Sequence, residues 1–341
     1  MIKRLSILLM AMVPAMLWAQ FPPASCFPGT TAMHADSSAF VAWATGCTVD
    51  RGPKRIDNPN GALASFGEDG YALGVPGGTM DVVSLGDGGK ATVTFASPIY
   101  NGPGPDFAVF ENGLHPDTDP TMTLYFLELA FVEVSSDGEH FFRFPAVTHV
   151  QCETQLENAD AIDPSLIHNF AGKYEAMYGT PFDLDEVEDD PLLNKNKVTH
   201  VRLIDVVGNV DTLYTTDAEG NITDTIRPTL DSHGHIVNDP WPTAFKSSGF
   251  DLDAVGVIHD LAHFAVSENE SDVVTVYPNP VKGQLFVKAE NLQSIEVFNL
   301  VGQKVMVSEE ESIDMESLSQ GIYFVRVTAD GRVVTKRIVK Q

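Results

Sequence analysis

The sequence is poor in basic residues, in cysteine and in long apolar runs. It has 21 Lys and Arg residues against 47 Asp and Glu residues, a formal net charge of −26. Nucleic acids and anionic membrane surfaces select basic patches, so neither is an expected partner. The three cysteines lack the spacing of a zinc site. No run beyond the first twenty residues approaches the ~20 apolar residues of a membrane helix, so the mature chain is expected to have no transmembrane segment.

The hydrophobic fraction is 43%, which is ordinary for a folded protein and excludes wholesale disorder. The length indicates about two domains.

The first twenty residues have the pattern of a signal peptide. Lys3 and Arg4 form a basic start, residues 5–18 are mostly apolar, and Ala19 is a small residue suited to cleavage. The alternative is an amino-terminal anchor helix, but an apolar run of about 14 residues is short for a membrane span. We therefore predict that residues 1–20 are removed and that the rest is exported.

Export places the cysteines in an oxidising space. Cys26 and Cys47 flank a short segment and could form a disulfide, whereas Cys152 has no evident partner. Free thiols are also common in folded proteins, so both alternatives remain open from the sequence.

The charge changes sharply near residue 270. Residues 21–271 hold 38 acidic and 11 basic residues, whereas residues 272–341 hold 9 and 8. The segment 266–271 is polar and has no apolar periodicity, which is typical of a linker. We predict a signal peptide at 1–20, a cargo domain at 21–265, this linker, and a second domain at 272–341.

The second domain is dense in short strand patterns. About seven of them follow one another in residues 272–341, and Tyr323, Val325 and Val327 alternate on one face of a strand. Asp330 and Gly331 form a typical hairpin turn. The pattern predicts a small Ig-like β-sandwich.

Four motifs in this domain are similar to a known family. They are Val-Tyr-Pro-Asn-Pro-Val at 276–281, the stretch 295–305, the strand 318–327 and the basic ending 334–340. In this order they resemble the type A C-terminal sorting domain of the type IX secretion system.

The resemblance implies a Gram-negative organism of the Bacteroidota group and passage through the periplasm and across the outer membrane. The partners that it implies are the type IX secretion machinery and its sorting protease. It also implies that the cargo is released or attached to the outer cell surface. The alternative is an ordinary adhesive sandwich that stays in the mature protein.

The cargo domain has many strand signals and few helix signals. Apolar strands separated by Gly- and Pro-rich turns predict an all-β jelly roll or sandwich. We expect one helix near residues 164–178 and a long surface loop at 215–242, where periodicity is weak.

Five stretches of the cargo domain resemble a domain of exported bacterial surface proteins, with a strand pattern similar to galactose-binding-like jelly rolls. They lie at 83–95, 101–112, 131–138, 171–174 and 249–258. This resemblance favours a jelly roll without naming a ligand.

Acidic residues in strand contexts are the best candidates for a functional site. Period-two alternation places Asp251 and Asp253 on one strand face, where two carboxylates repel each other unless a cation lies between them. Calcium, which takes six to eight oxygen ligands, suits such a pair. Asp106, Glu111 and Asp205 also sit on apolar strands and need partners. The alternatives are Arg side chains, backbone N–H groups or plain solvation.

We therefore expect a Ca²⁺-stabilised module that binds glycan or another surface ligand, rather than an enzyme. Trp241, between two prolines of the long loop, is the candidate ligand contact, provided that it is exposed. The alternatives are a secreted hydrolase acting on polysaccharide or peptide, and a structural surface-matrix protein. No nucleophile elbow, zinc-protease helix or phosphate loop is present in the sequence.

Overall fold

The computed structural model of the 341-residue chain describes residues 21–58, 60–115, 123–158, 160–263, 274–299, 304–329 and 332–341. The chain divides into two compact units, an amino-terminal unit ending at Asp260 and a carboxy-terminal unit from Leu261 to Gln341. The predicted signal peptide at 1–20 and the linker at 266–271 lie outside the described residues. Within the described ranges no helix is long and apolar enough to span a membrane.

Two antiparallel sheets build the amino-terminal unit. Sheet 1 has the strand order Met33–His34, Tyr178–Phe182, Phe107–Glu111, Asp251–Val257, Ala42–Trp43, with Val83–Ser84 also paired to Asp251–Val257. Sheet 2 has the order Phe170–Ala171, Ala130–Ser135, Val198–Asp205, Lys90–Ile99, Gly46–Asp50, with Phe142–Arg143 paired to Ala130–Ser135.

The two sheets share one apolar core, which makes the unit a β-sandwich. Val109, Leu252 and Val255 of sheet 1 belong to the same buried cluster as Val132 and Val201 of sheet 2. The strands Phe107–Glu111 and Ala130–Ser135 are buried along their whole length and are rich in Val and Phe, which suit a pleated surface. The prediction of an all-β sandwich is confirmed.

Short elements complete this unit. Val147–Thr148 pairs with Ile167–His168, and Leu213–Thr216 pairs with Ile222–Ile226 as a separate hairpin. The 3₁₀ helices are Asp69–Ala72, Pro164–Leu166, Leu184–Glu186 and Lys195–Lys197.

Two local predictions for the amino-terminal unit are wrong. In place of the helix near residues 164–178 the chain forms one 3₁₀ turn, Pro164–Leu166, followed by short strands. Asn169 and Gly172 have φ angles of +54° and +81°, which end any helical run. The long loop at 215–242 contains the strand Ile222–Ile226, whose partner strand starts just before the predicted loop.

The carboxy-terminal unit has seven strands among its described residues, as the sequence predicts. One sheet has the order Val274–Tyr277, Gln284–Ala289, Ser312–Asp314. The other has the order Lys304–Ser308, Leu292–Phe298, Gly321–Ala329, Arg332–Lys340. Tyr323, Val325 and Val327 point into one buried cluster together with Leu285 and Ile295 of the two sheets. The predicted hairpin turn at 330–331 lies outside the described residues.

Candidate functional site

Buried acids gather where strands of both sheets end. Glu111 is the last residue of its strand and pairs with Leu252, next to Asp251, the first residue of the neighbouring strand. In sheet 2, Asp205 ends its strand opposite Ala130. The N–H of Phe250, beside Asp251, donates to Asp205 Oδ1 at 2.7 Å. This hydrogen bond joins the two sets of strand ends at one end of the sandwich.

We name six residues of this region the carboxylate cluster. All six side chains are buried, and after burial the charges of other members raise the pKa values of Glu111, Glu128, Asp205 and Asp239. The members are Asp87, Glu111, Glu128, Asp205, Asp239 and Asp251.

Burial and the charge of Asp251 raise the pKa values of both Glu111 and Glu128. Glu111 accepts a hydrogen bond of 2.6 Å from the N–H of Gly113, but burial and then the charge of Asp251 raise its pKa well above the usual value. Burial and then the charges of Asp251, Glu111 and other members raise the pKa of Glu128 in the same way. No described residue donates a hydrogen bond to the Glu128 carboxylate. Each of these carboxylates therefore favours either a proton or a cation.

Asp239 has one carboxylate oxygen without a partner. Its Oδ2 accepts the N–H of Leu129 at 3.2 Å, whereas its Oδ1 is buried and has no hydrogen bond within the described residues. Burial and then the charge of Asp205 raise the pKa of Asp239 well above the usual value. A buried carboxylate oxygen without a donor is costly, and a cation relieves that cost.

The remaining members have better partners. Asp205 accepts N–H groups of Gly88 and Phe250, and burial followed by the charge of Asp87 still raises its pKa well above the usual value. Asp251 accepts hydrogen bonds from the Ser84 hydroxyl and from Asn112 Nδ2. Burial raises the pKa of Asp251 to about 6.

Two arginines act on the cluster: Arg55, whose pKa is raised first by its hydrogen bond to Asp57 and also by the charge of Asp87, and Arg51. The charge of Arg51 lowers the pKa of Asp251, although less than burial raises it. Its guanidinium donates hydrogen bonds of 2.7 to 2.9 Å to the main-chain carbonyls of Phe66, Gly67 and Ser84. Two guanidinium groups, one held by carbonyl groups and the other paired with Asp57, leave most of the cluster's potential negative charge uncompensated.

Trp241 is buried, so the expectation of an exposed platform is wrong. Its side chain is packed inside the unit, and its indole N–H donates to Asp87 Oδ2 at 2.8 Å. Burial raises the pKa of Asp87 to about 6, although this hydrogen bond and others lower it. The buried indole ring therefore serves as a hydrogen-bond donor to the cluster, and the flanking prolines do not present it to solvent.

Two of the five predicted cation ligands lie apart from the cluster. Asp106 accepts hydrogen bonds from the N–H groups of Gly102 and Leu184 and lies 2.8 Å from His259 Nδ1. Asp253 accepts the N–H groups of Gly77 and Gly78.

The strand register explains why Asp251 and Asp253 serve different partners. Leu252 pairs with Glu111 and Ala254 with Phe110, so Asp253 is an extra residue at a β-bulge. Period-two alternation places Asp251 and Asp253 on one face only in a regular strand, and the bulge at Asp253 interrupts that alternation.

Three members of the cluster were not predicted from the sequence. Glu128 lies between Leu127 and Leu129, which are fully buried, and a lone acid within an apolar run is a signal that could have found it. Asp87 follows a Gly in a turn, and Asp239 lies in a segment without periodicity, so neither has such a signal. Among the described residues, no three His, Cys, Asp or Glu side chains are arranged to hold a metal ion as they stand.

All three cysteines, Cys26, Cys47 and Cys152, are free thiols, so Cys26 and Cys47 form no disulfide. Burial raises the pKa of Cys47 to about 12, which keeps this thiol protonated and unreactive.

Comparisons with known proteins identify only the carboxy-terminal unit. No curated protein matches the chain. Among solved structures, a chain described as "Biofilm associated protein - BSP domain" aligns at 12% identity and a TM-score of 0.17, over 74% of this chain and 48% of that one. This chain therefore spans about half of that protein, and the TM-score is too low to assign a common fold.

The family model of the secretion system C-terminal sorting domain matches residues 275–341. This match confirms the predicted sorting domain, implies the type IX secretion machinery as a partner, and indicates a secreted or surface-exposed protein. Residues 275–341 belong to the secretion system C-terminal sorting domain family.

Proposed function

We propose that the amino-terminal unit is an exported binding module whose sandwich is stabilised by one Ca²⁺ ion in the carboxylate cluster. The observation that carries the proposal is the burial of six carboxyl groups on which, among the described residues, only the guanidinium groups of Arg51 and Arg55 are seen to act. Charges buried without compensation are costly, and proteins either protonate them or bind a cation.

The chemistry of the cluster favours calcium among the common metal ions. Its members supply only oxygen atoms, which hard cations prefer over the nitrogen and sulfur ligands of zinc. Calcium also accepts irregular shells of six to eight oxygens. Export supports the choice, because extracellular modules use Ca²⁺ with dissociation constants of about 10⁻⁴–10⁻³ M.

Binding requires the side chains to move, and Glu128 and Asp239 are the least restrained by hydrogen bonds. Glu128 has no hydrogen bond from a described residue, and Asp239 Oδ1 has none either. Glu111 is held by main-chain N–H groups, that of Gly113 at 2.6 Å from Oε2 and that of Asn112. We propose Glu111, Glu128 and Asp239 as the main ligands, with Asp205 and Asp251 completing the shell.

The competing explanation is that the carboxyl groups are protonated. Calorimetry of the full chain in Ca²⁺ and in chelator separates the two, because an ion that binds only the folded state raises its stability. We expect a higher melting temperature of the amino-terminal unit in Ca²⁺ than in chelator. Equal melting temperatures would rule out the ion.

For the binding role we propose a glycan or another surface ligand, which rests on the sequence resemblance to galactose-binding-like jelly rolls and on the exported location. A glycan array probed with the Ca²⁺-loaded full chain tests it. Binding to a defined sugar class supports the proposal, and no binding across the array contradicts the glycan assignment.

A further inference from the structure

A second site lies away from the carboxylate cluster, around a buried lysine. A cavity of about 140 Å³ opens beside Lys173. Pro22, Pro105 and Pro181 form the apolar part of the cavity wall. The polar lining includes Lys173, Thr180, His168, Asn169, Asp183 and Glu186.

Among the described residues Lys173 forms no ion pair, and burial lowers its pKa more than the charge of Asp163 raises it. Its side chain is 3% exposed, and its Nζ donates one hydrogen bond of 2.8 Å to the carbonyl of Ile167. Burial lowers the pKa of Lys173 to about 7. A carboxylate placed next to this amine stabilises its charged form and satisfies donors that the protein leaves free.

Thr180 supplies a second free donor in the same cavity. The residue is 4% exposed, and its hydroxyl oxygen has no hydrogen-bond partner within the described residues. Buried hydroxyl groups are normally paired, so an unpaired one that lines a cavity points to a ligand.

The acidic groups of the lining restrict the ligand's charge. Glu186 is engaged by His168 Nε2 at 3.0 Å and by Asn169 Nδ2, and the His168 hydrogen bond lowers its pKa. Asp183, whose Oδ1 accepts the N–H of Asp185, adds a second carboxylate to the lining. These groups repel a phosphate dianion more than a monoanion. The chain's overall negative charge is screened within about 8 Å at physiological ionic strength.

We propose that this cavity binds a small monocarboxylate, with the Lys173 ammonium and the Thr180 hydroxyl donating to its two oxygens. The volume equals roughly four or five waters, which suits an acid of acetate size. The proline walls pack against the ligand's short apolar end.

Thermal unfolding of the full chain at pH 6, with acetate added at constant ionic strength and chloride as the reference anion, tests the proposal. We expect acetate to raise the melting temperature of the wild-type protein. Lys173→Met keeps the length of the side chain and removes the charge, so it should abolish the rise.

Thr180→Val removes the free hydroxyl without breaking a protein hydrogen bond, and should weaken acetate binding roughly tenfold. Lys195→Met is the matched control. Lys195 also donates to a main-chain carbonyl, that of Val187, but it pairs with Asp189 and does not line the cavity. This variant should respond to acetate as the wild-type protein does.

No response in the wild-type protein, or an equal response in Lys173→Met, would overturn the proposal. A stronger effect of phosphate than of acetate would overturn the assignment to a monocarboxylate.

Discussion

Replacing Glu128 with Gln perturbs the carboxylate cluster with little change of shape. In chelator the substitution removes a buried acid whose pKa is raised well above the usual value by burial and by the charges of Asp251, Glu111 and Asp239. We therefore expect the variant to be at least as stable as the wild-type protein under that condition. In Ca²⁺ the order should reverse, because the variant lacks one charged ligand.

The size of the reversal follows from the binding equilibrium. At a Ca²⁺ concentration about 100 times the dissociation constant, binding adds about 2.7 kcal/mol to the free energy of unfolding. For a unit of this size, 1 kcal/mol corresponds to about 2–4 °C, so the wild-type melting temperature should rise by roughly 5–11 °C. If loss of the ligand weakens binding about tenfold, the gain falls to about 1.4 kcal/mol, or roughly 3–6 °C.

Differential scanning calorimetry of the full chain measures both differences. Glu188→Gln is the matched control, since it removes the same charge from an exposed position. It should leave the Ca²⁺ response at the wild-type value. If Glu128→Gln gains as much from Ca²⁺ as the wild-type protein does, Glu128 is not a ligand and the reasoning from its missing hydrogen bonds is refuted.

Three further predictions follow from the fold and the sorting domain. Burial raises the pKa of Asp251 from 3.8 to about 6. Folding therefore favours its protonated form, and its contribution to stability is lost as the pH rises from about 4 through about 6. Calorimetry in chelator should show a melting temperature that falls over this pH range, and Ca²⁺ should remove the fall. A melting-temperature difference between Ca²⁺ and chelator that stays constant over the range would contradict the prediction. Gly249→Ala should destabilise by about 1–3 kcal/mol in urea unfolding, because at φ +69° its Cβ would lie 2.7 Å from Asp205 Oδ1. Gly220→Ala, at φ +85° with no atom within 4 Å, should cost less, and equal losses would contradict the steric argument. Deleting residues 272–341 should leave the cargo in the periplasm, which cell fractionation tests, and normal extracellular appearance of the truncated protein would contradict the sorting role.

Much of the strand framework could be predicted, because its alternation is local. Lys90–Ile99 and Gly321–Ala329 lie where apolar and polar residues alternate, and their buried faces match that pattern. The helix expected near residues 164–178 failed because positive φ angles at Asn169 and Gly172 are not visible in a periodicity.

The site could be predicted only in part. Glu111, Asp205 and Asp251 were found because each ends or begins an apolar strand. Asp239 joins them only through the tertiary fold, since it lies in a segment without periodicity. The bulge at Asp253 arises from the pairing of its strand with Phe107–Glu111. The sequence of one strand does not show how it pairs with another.

We propose that the buried carboxylates of the exported unit hold one Ca²⁺ ion. Equilibrium dialysis of the chelator-treated full chain against Ca²⁺ tests it most directly, with the double variant Glu128→Gln, Asp239→Asn as the control. We expect one bound ion per wild-type chain and much weaker binding in the double variant. No bound Ca²⁺ in the wild-type chain, or equal binding in the double variant, would contradict it.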